Sequence, residues 1–195
     1  MSAAVTVALL FFLSVALNEQ VTEGCSCVPR HPQQQFCSSD IVIRAKVIGK
    51  VSSTLPRLTA YKIQTIQTFK QSDKKRIQVI YTPQTSCGVI LKNCEYLLSG
   101  HVQDGRVVVN LCDLVKPWNK LSQVQKASLS MYQRGCVCEI SPCTGASCLI
   151  EILQKKCLIR VTSSGLDKKA LQSICLPGKG GFCSWQQIPD NYKCS

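Results

Sequence analysis

Fourteen cysteines in 195 residues constrain this chain more than any other feature. In a reducing cytosol so many thiols would need protection or metal, whereas in an oxidising compartment they cross-link small domains. An even count reads as a disulfide framework, and fourteen cysteines allow on the order of 10⁵ pairings. Cys25/Cys27 and Cys136/Cys138 are C-x-C pairs, and no C-x-x-C occurs, which argues against a thioredoxin-like redox site. Cys143 and Cys148 have a spacing that zinc ligands can use, but no His lies near them, so disulfides are the better account. Aromatic residues make up only 6% of the chain, so the core must be aliphatic and helped by covalent links.

Residues Ala3 to Leu17 form a run without a charged side chain, too short to span a membrane comfortably. Thr22 and Gly24 then occupy the −3 and −1 positions of a signal-peptidase site. Residues 1–24 therefore read as a signal peptide, and the mature, secreted chain begins at Cys25 with all fourteen cysteines. Removing Glu19 and Glu23 with the leader raises the formal net charge from +12 to +14. No Asn-x-Ser/Thr sequon occurs, so N-glycosylation is not expected.

Between Asp40 and Val51, Ile41, Ile43, Ala45 and Val47 alternate with Val42, Arg44, Lys46 and Ile48, which predicts a strand with one wet face. Similar segments run over Tyr61–Phe69, Ile77–Thr82, Tyr96–Ser99 and Arg106–Leu111, separated by turn signals. Five strands with no intervening helix fit a small closed barrel. One helix is expected after Trp118: Ser122 and Gln125 have capping-box spacing, Leu121, Val124, Ser128 and Tyr132 form a stripe, and Gly135 supplies a stop. The fold class is thus mainly β with some α, an OB-type barrel over 25–136 followed by a small disulfide-rich β lobe over 137–195. Most of the positive charge lies in the barrel unit.

Catalytic constellations are missing. Only His31 and His101 are available as imidazole bases, and neither H-E-x-x-H nor G-x-S-x-G occurs. His31, between Arg30 and Pro32, reads as a turn residue, and His101 as the end of a strand. An enzyme is not expected, nor a cofactor of the chain's own. Nucleic acid is not an expected partner, since no aromatic stacking platform is visible.

The start of the mature chain carries the most specific signal. Cys25-Ser26-Cys27-Val28-Pro29, His31-Pro32-Gln33, Phe36-Cys37 and Asp40–Lys46 closely resemble the tissue inhibitors of metalloproteinases. Cys87-Gly88-Val89, Leu111-Cys112-Asp113, Pro117-Trp118, Gly135–Cys138 and Cys183-Ser184-Trp185 extend the resemblance over the whole mature chain in order. It implies a netrin-like OB barrel bearing the inhibitory edge, and a smaller second lobe. It also implies the pairings Cys25–Cys87, Cys27–Cys112, Cys37–Cys136, Cys138–Cys183, Cys143–Cys148 and Cys157–Cys175. The implied partners are matrix metalloproteinases, bound one to one. The α-amine and carbonyl of Cys25 would chelate the target's catalytic zinc, with Ser26, Cys27, Val28 and Pro29 in the cleft and Thr85, Ser86, Cys87, Gly88 and Val89 beside them. The alternative is a netrin-like module that binds matrix or growth factors without inhibiting.

This chain departs from the family pattern at several points. The stretches Thr82–Cys87 and Cys87–Glu95 are shortened, and Cys94 and Cys194 are extra. Their even number suggests a Cys94–Cys194 bridge, with two free or intermolecular thiols as the other outcome. The basic cluster Lys70, Lys74, Lys75 and Arg76 is a candidate site for heparan sulfate or another matrix polyanion, or else a solvated turn.

Overall fold

In the computed structural model, which describes residues 24–72, 75–149, 155–163, 165–167 and 169–188, the period-two segments form a closed barrel. Its strands are β1 (Ile41–Val51), β2 (Leu58–Lys70), β3 (Val79–Pro83), β4 (Glu95–Gln103) and β5 (Arg106–Val108). The ring runs β1-β2-β3-β5-β4 and closes by antiparallel pairing of β4 back onto β1. A short sixth strand, β6 (Val115–Pro117), hangs on the outer side of β4. The leader assigned to residues 1–24 lies, apart from Gly24, outside the described residues.

Strand β1 pairs with β2 along nearly its whole length and with β4 over Ile41–Lys46. One strand can serve two neighbours around a tight ring only if it curls. The register against β2 slips between Val42 and Ile43, Arg44 and Ala45, and Val47 and Gly49, and bulges of this kind sharpen twist and bend. Ile41, Ile43, Ala45 and Val47 point inward and meet Ile63, Ile80, Leu98 and Val109 in the barrel core.

The opposite face of β1 is not uniformly wet. Lys46 and Ile48 are exposed, but Val42 is fully buried. A helical layer covers that part of the barrel: Val42 packs with Leu97, Leu129 and Tyr132 beneath helices α1 (Pro32–Ser38) and α2 (Gln123–Gly135). Arg44 keeps its charge at the layer's rim, paired with Glu95 at 2.6 Å and lying 4.5 Å from the Trp118 ring.

Helix α2 starts as its sequence requires. Ser122 accepts from the Gln125 N–H at 3.1 Å, and the Gln125 side chain accepts from the Ser122 N–H at 3.0 Å. Gly135 has a different role from a stop signal. It is the last helical residue, and a Cβ there would collide with the Cys175 carbonyl and the Gln33 amide. Close approach, not a left-handed cap, requires this glycine.

Beyond the barrel, β7 (Glu139–Cys143), β8 (Lys156–Thr162) and β9 (Gly165–Leu166) form one small sheet. A hairpin of β10 (Ser173–Pro177) and β11 (Cys183–Gln187) forms another. Ile174 and Leu176 of β10 complete the core beneath α1 and α2, so the two parts of the chain share packing.

Candidate functional site

The segment from Cys25 to His31 has no regular structure, so its shape depends on tethers. Cys25 is bonded to Cys87 and Cys27 to Cys112, with Cα separations of 4.9 and 5.3 Å. These close loops of 62 and 85 residues, each worth about 4 kcal/mol in the chain-entropy account. The third tether is His31, completely buried. Its Nδ1 accepts from the Gln33 N–H at 3.1 Å, capping α1, while its Nε2 lies 3.0 Å from the Ala170 carbonyl. Trp185 and Tyr132 enclose the ring edge-on. Burial lowers the His31 pKa from 6.5 to about 4, so the imidazole is neutral and donates from Nε2.

The facing strip is fixed just as firmly. The Gly88 N–H donates to the Thr85 carbonyl at 2.9 Å, and a Cβ on Gly88 would strike the Pro83 carbonyl, so only glycine fits this turn. The Cys87 carbonyl accepts from the Leu111 N–H at 2.8 Å. Across the gap, the Cys25 N–H reaches Ser86 Oγ at 3.1 Å. Cys25 is thus held to this strip covalently through Cys87 and by a polar contact with Ser86.

Through the Cys25–Cys87 disulfide and the Cys25–Ser86 contact, the structure joins residues 25–29 to the strip 85–88, and the joined pair is called the ridge. Ser26, Cys27, Val28, Pro29, Thr85 and Ser86 are exposed. Val89 turns the other way, 8% exposed in the barrel core, where it anchors the strip. None of these residues carries a charged side chain, so a partner can cover the ridge without stranding a buried charge.

Comparison with known proteins then decides the family. The family profile described as "Tissue inhibitor of metalloproteinase" matches residues 23–185. The chain belongs to this family. Similar relatives include "Metalloproteinase inhibitor 3" of Scyliorhinus torazame, 36% identical with 94% of this chain and 91% of that protein covered. "Metalloproteinase inhibitor 3" of Xenopus laevis is 37% identical over 90% of this chain and 86% of its own. "Metalloproteinase inhibitor 4" of Mus musculus is 39% identical over 84% and 80%.

In this member of the tissue inhibitor of metalloproteinase family, the described disulfides also include Cys37–Cys136, Cys138–Cys183, Cys143–Cys148 and Cys157–Cys175. The sulfurs of Cys138, Cys175 and Cys183 lie within 4.8 Å of one another, but disulfide sulfurs lack the thiolate that binds metal. Cys94 is exposed and bonds to no described cysteine, and Cys194 lies outside the described residues.

Lys70 leaves the basic cluster. Its ammonium donates to the Phe36 and Cys37 carbonyls at 3.2 and 2.7 Å, at the end of α1, and burial lowers its pKa. Lys74 lies outside the described residues. Lys75 and Arg76 remain, joined by Arg106, along a groove of about 700 Å³ between the β2–β3 loop and the β4–β5 hairpin.

His31 and Gln33 are the site residues that sequence reasoning missed. Gln33 is buried and donates to the carbonyls of Gly135 (3.0 Å) and Cys175 (2.8 Å), while its Oε1 accepts from the Cys175 N–H at 2.9 Å. One side chain thus binds the segment behind the ridge to both α2 and β10. The available signal was local: Pro32 at the first helical position and Gln34 three residues after His31.

Proposed function

We propose that this chain is a secreted inhibitor of zinc metalloproteinases that blocks the active-site cleft with its mature N-terminus. The supporting observation is the ridge without charged side chains, with Cys25 cross-linked to Cys87 and Cys27 to Cys112. Its family membership and the inhibitor names of its relatives point the same way. Six disulfides suit an extracellular setting, and no described helix is long and apolar enough to cross a membrane.

Once the leader is removed, the Cys25 nitrogen is an α-amine with an ordinary pKa near 8. As the neutral amine it donates to the target's zinc while the Cys25 carbonyl oxygen donates beside it, closing a five-membered chelate. These two atoms take the place of the water the protease would activate. Ser26 enters the S1′ pocket, and Cys27, Val28 and Pro29 occupy further primed subsites. Residues 25–136 are the inhibitory unit and 137–195 its buttress. Because the ridge is cross-linked beforehand, docking costs little ordering entropy. The test is a titration of the mature chain against an active matrix metalloproteinase: activity falls to zero at one equivalent. Full protease activity at a large molar excess would overturn the proposal.

A second reading, matrix anchoring, is favoured by the basic groove. Among its described lining residues Lys75, Arg76 and Arg106 are cations and Asp40 is the sole carboxylate. Cations near an anionic surface contribute roughly 1 kcal/mol each. Replacing all three by Ala therefore weakens heparin binding roughly a hundredfold at low salt, with protease inhibition unchanged. Equal elution of parent and variant from a heparin column would remove this reading.

A further inference from the structure

We infer that Ile90 is a specificity-determining contact of the inhibitory ridge, an apolar knob for an apolar depression at the rim of the target's cleft. The inference rests on the ridge being the inhibitory surface. Ile90 is 91% exposed, more than any other large apolar side chain among the described residues. A single exposed apolar residue is ordinary by itself. Ile90 differs because the backbone on both sides of it is locked.

The Val89 N–H donates to Thr82 Oγ1 at 2.8 Å and the Leu91 N–H to the Tyr61 hydroxyl at 3.3 Å, both bonds buried. One residue further on, the Lys92 N–H donates to the Tyr96 hydroxyl at 3.1 Å. Val89 and Leu91 both plug the barrel core. The segment has no strand partners, yet it alternates in-out-in because side-chain acceptors replace the ladder. Ile90 is therefore pushed outward on a backbone that cannot turn it inward, and its branched Cβ limits χ1 further. Little entropy remains to be lost when it is covered.

Position places it within the footprint. Three residues of chain reach at most about 11 Å from Cys87. Cys87 lies 4.9 Å from Cys25 between Cα atoms. Ile90 is thus within roughly 16 Å of the proposed chelating residue, the radius of a circular patch of about 800 Å² such as protease inhibitors bury. It also borders a groove of about 980 Å³ together with Thr85, Ser86 and Gly88 of the ridge. Lys50 is the only charged residue among that groove's described lining, so the surroundings set no strong charge preference against an apolar contact.

The experiment measures inhibition constants of the mature chain, Ile90→Ala and Ile90→Glu against a panel of active metalloproteinases, with thermal unfolding of each variant. A form extended by one residue before Cys25 runs beside them. Ile90→Ala is expected to raise the constant about tenfold for at least one target, mostly through faster dissociation. Ile90→Glu should raise it further and reorder the panel, with the unfolding temperature unchanged. If both variants match the parent within twofold on every target while the extended form is inactive, the ridge stands and the role of Ile90 falls. Undiminished inhibition by the extended form would overturn the ridge mechanism, and this inference with it.

Discussion

A form of the protein that keeps Gly24 ahead of Cys25 loses inhibition by roughly a thousandfold or more, equivalent to about 4 kcal/mol. The added residue converts the Cys25 amine into an amide. An amide nitrogen shares its lone pair with the carbonyl and keeps its proton, so it cannot occupy a coordination position on zinc. One of the two chelating atoms is lost, and the Gly24 carbonyl is pushed towards the metal. The fold should not notice: Gly24 is exposed, with open space where a Cβ would stand. Inhibition constants and unfolding temperatures of the two forms, each with its N-terminus verified by mass, separate the effects. An extended protein as potent as the mature one would rule out chelation by Cys25.

The second large effect is acid destabilisation through His31. Folded, its Nδ1 must accept from the Gln33 N–H, so a proton added there would set donor against donor in a site closed by Trp185 and Tyr132. The folded pKa of about 4 lies below the ordinary 6.5, so between these values the unfolded chain binds the extra proton and the folded chain does not. Stability from this group is complete above about pH 6.5 and is lost as the pH falls towards 4, in total about 3 kcal/mol. Tyr132, its pKa raised by burial to about 12, stays neutral throughout. Urea unfolding across this range should show the slope in the parent and a flatter one in His31→Gln. Identical slopes would show that His31 does not control it.

His31 also marks a limit of what the sequence discloses. The barrel is legible because alternation with period two, interrupted by turn residues, has few other solutions, and α2 because Ser122 and Gln125 announce its start. Helix α1 is not legible: it has seven residues, too few for helical periodicity, and His31 is outside the usual set of N-caps. Val42 looks solvent-facing by alternation because alternation within one strand cannot see a layer supplied by other elements of the chain. Lys70 reads as surface charge for the same reason, since the carbonyls it caps are 33 and 34 residues away. In the ridge, cysteine spacing marks the tethers, but the inward turn of Val89 and outward push of Ile90 depend on Thr82 and Tyr61 across the barrel.

The three disulfides made by the first cysteines of the mature chain have a consequence for synthesis. Cys25, Cys27 and Cys37 pair with Cys87, Cys112 and Cys136, an interleaved order in which none closes on a near neighbour. A chain emerging at about 5–20 residues per second leaves Cys25 waiting roughly 3–12 seconds for its partner. Cys37 waits roughly 5–20 seconds on the same clock. During that time early thiols can join wrongly with one another, and any such pairing must be reshuffled before the native set is reached. The N-terminal tip of the mature chain therefore acquires its final shape only after most of the barrel has been made.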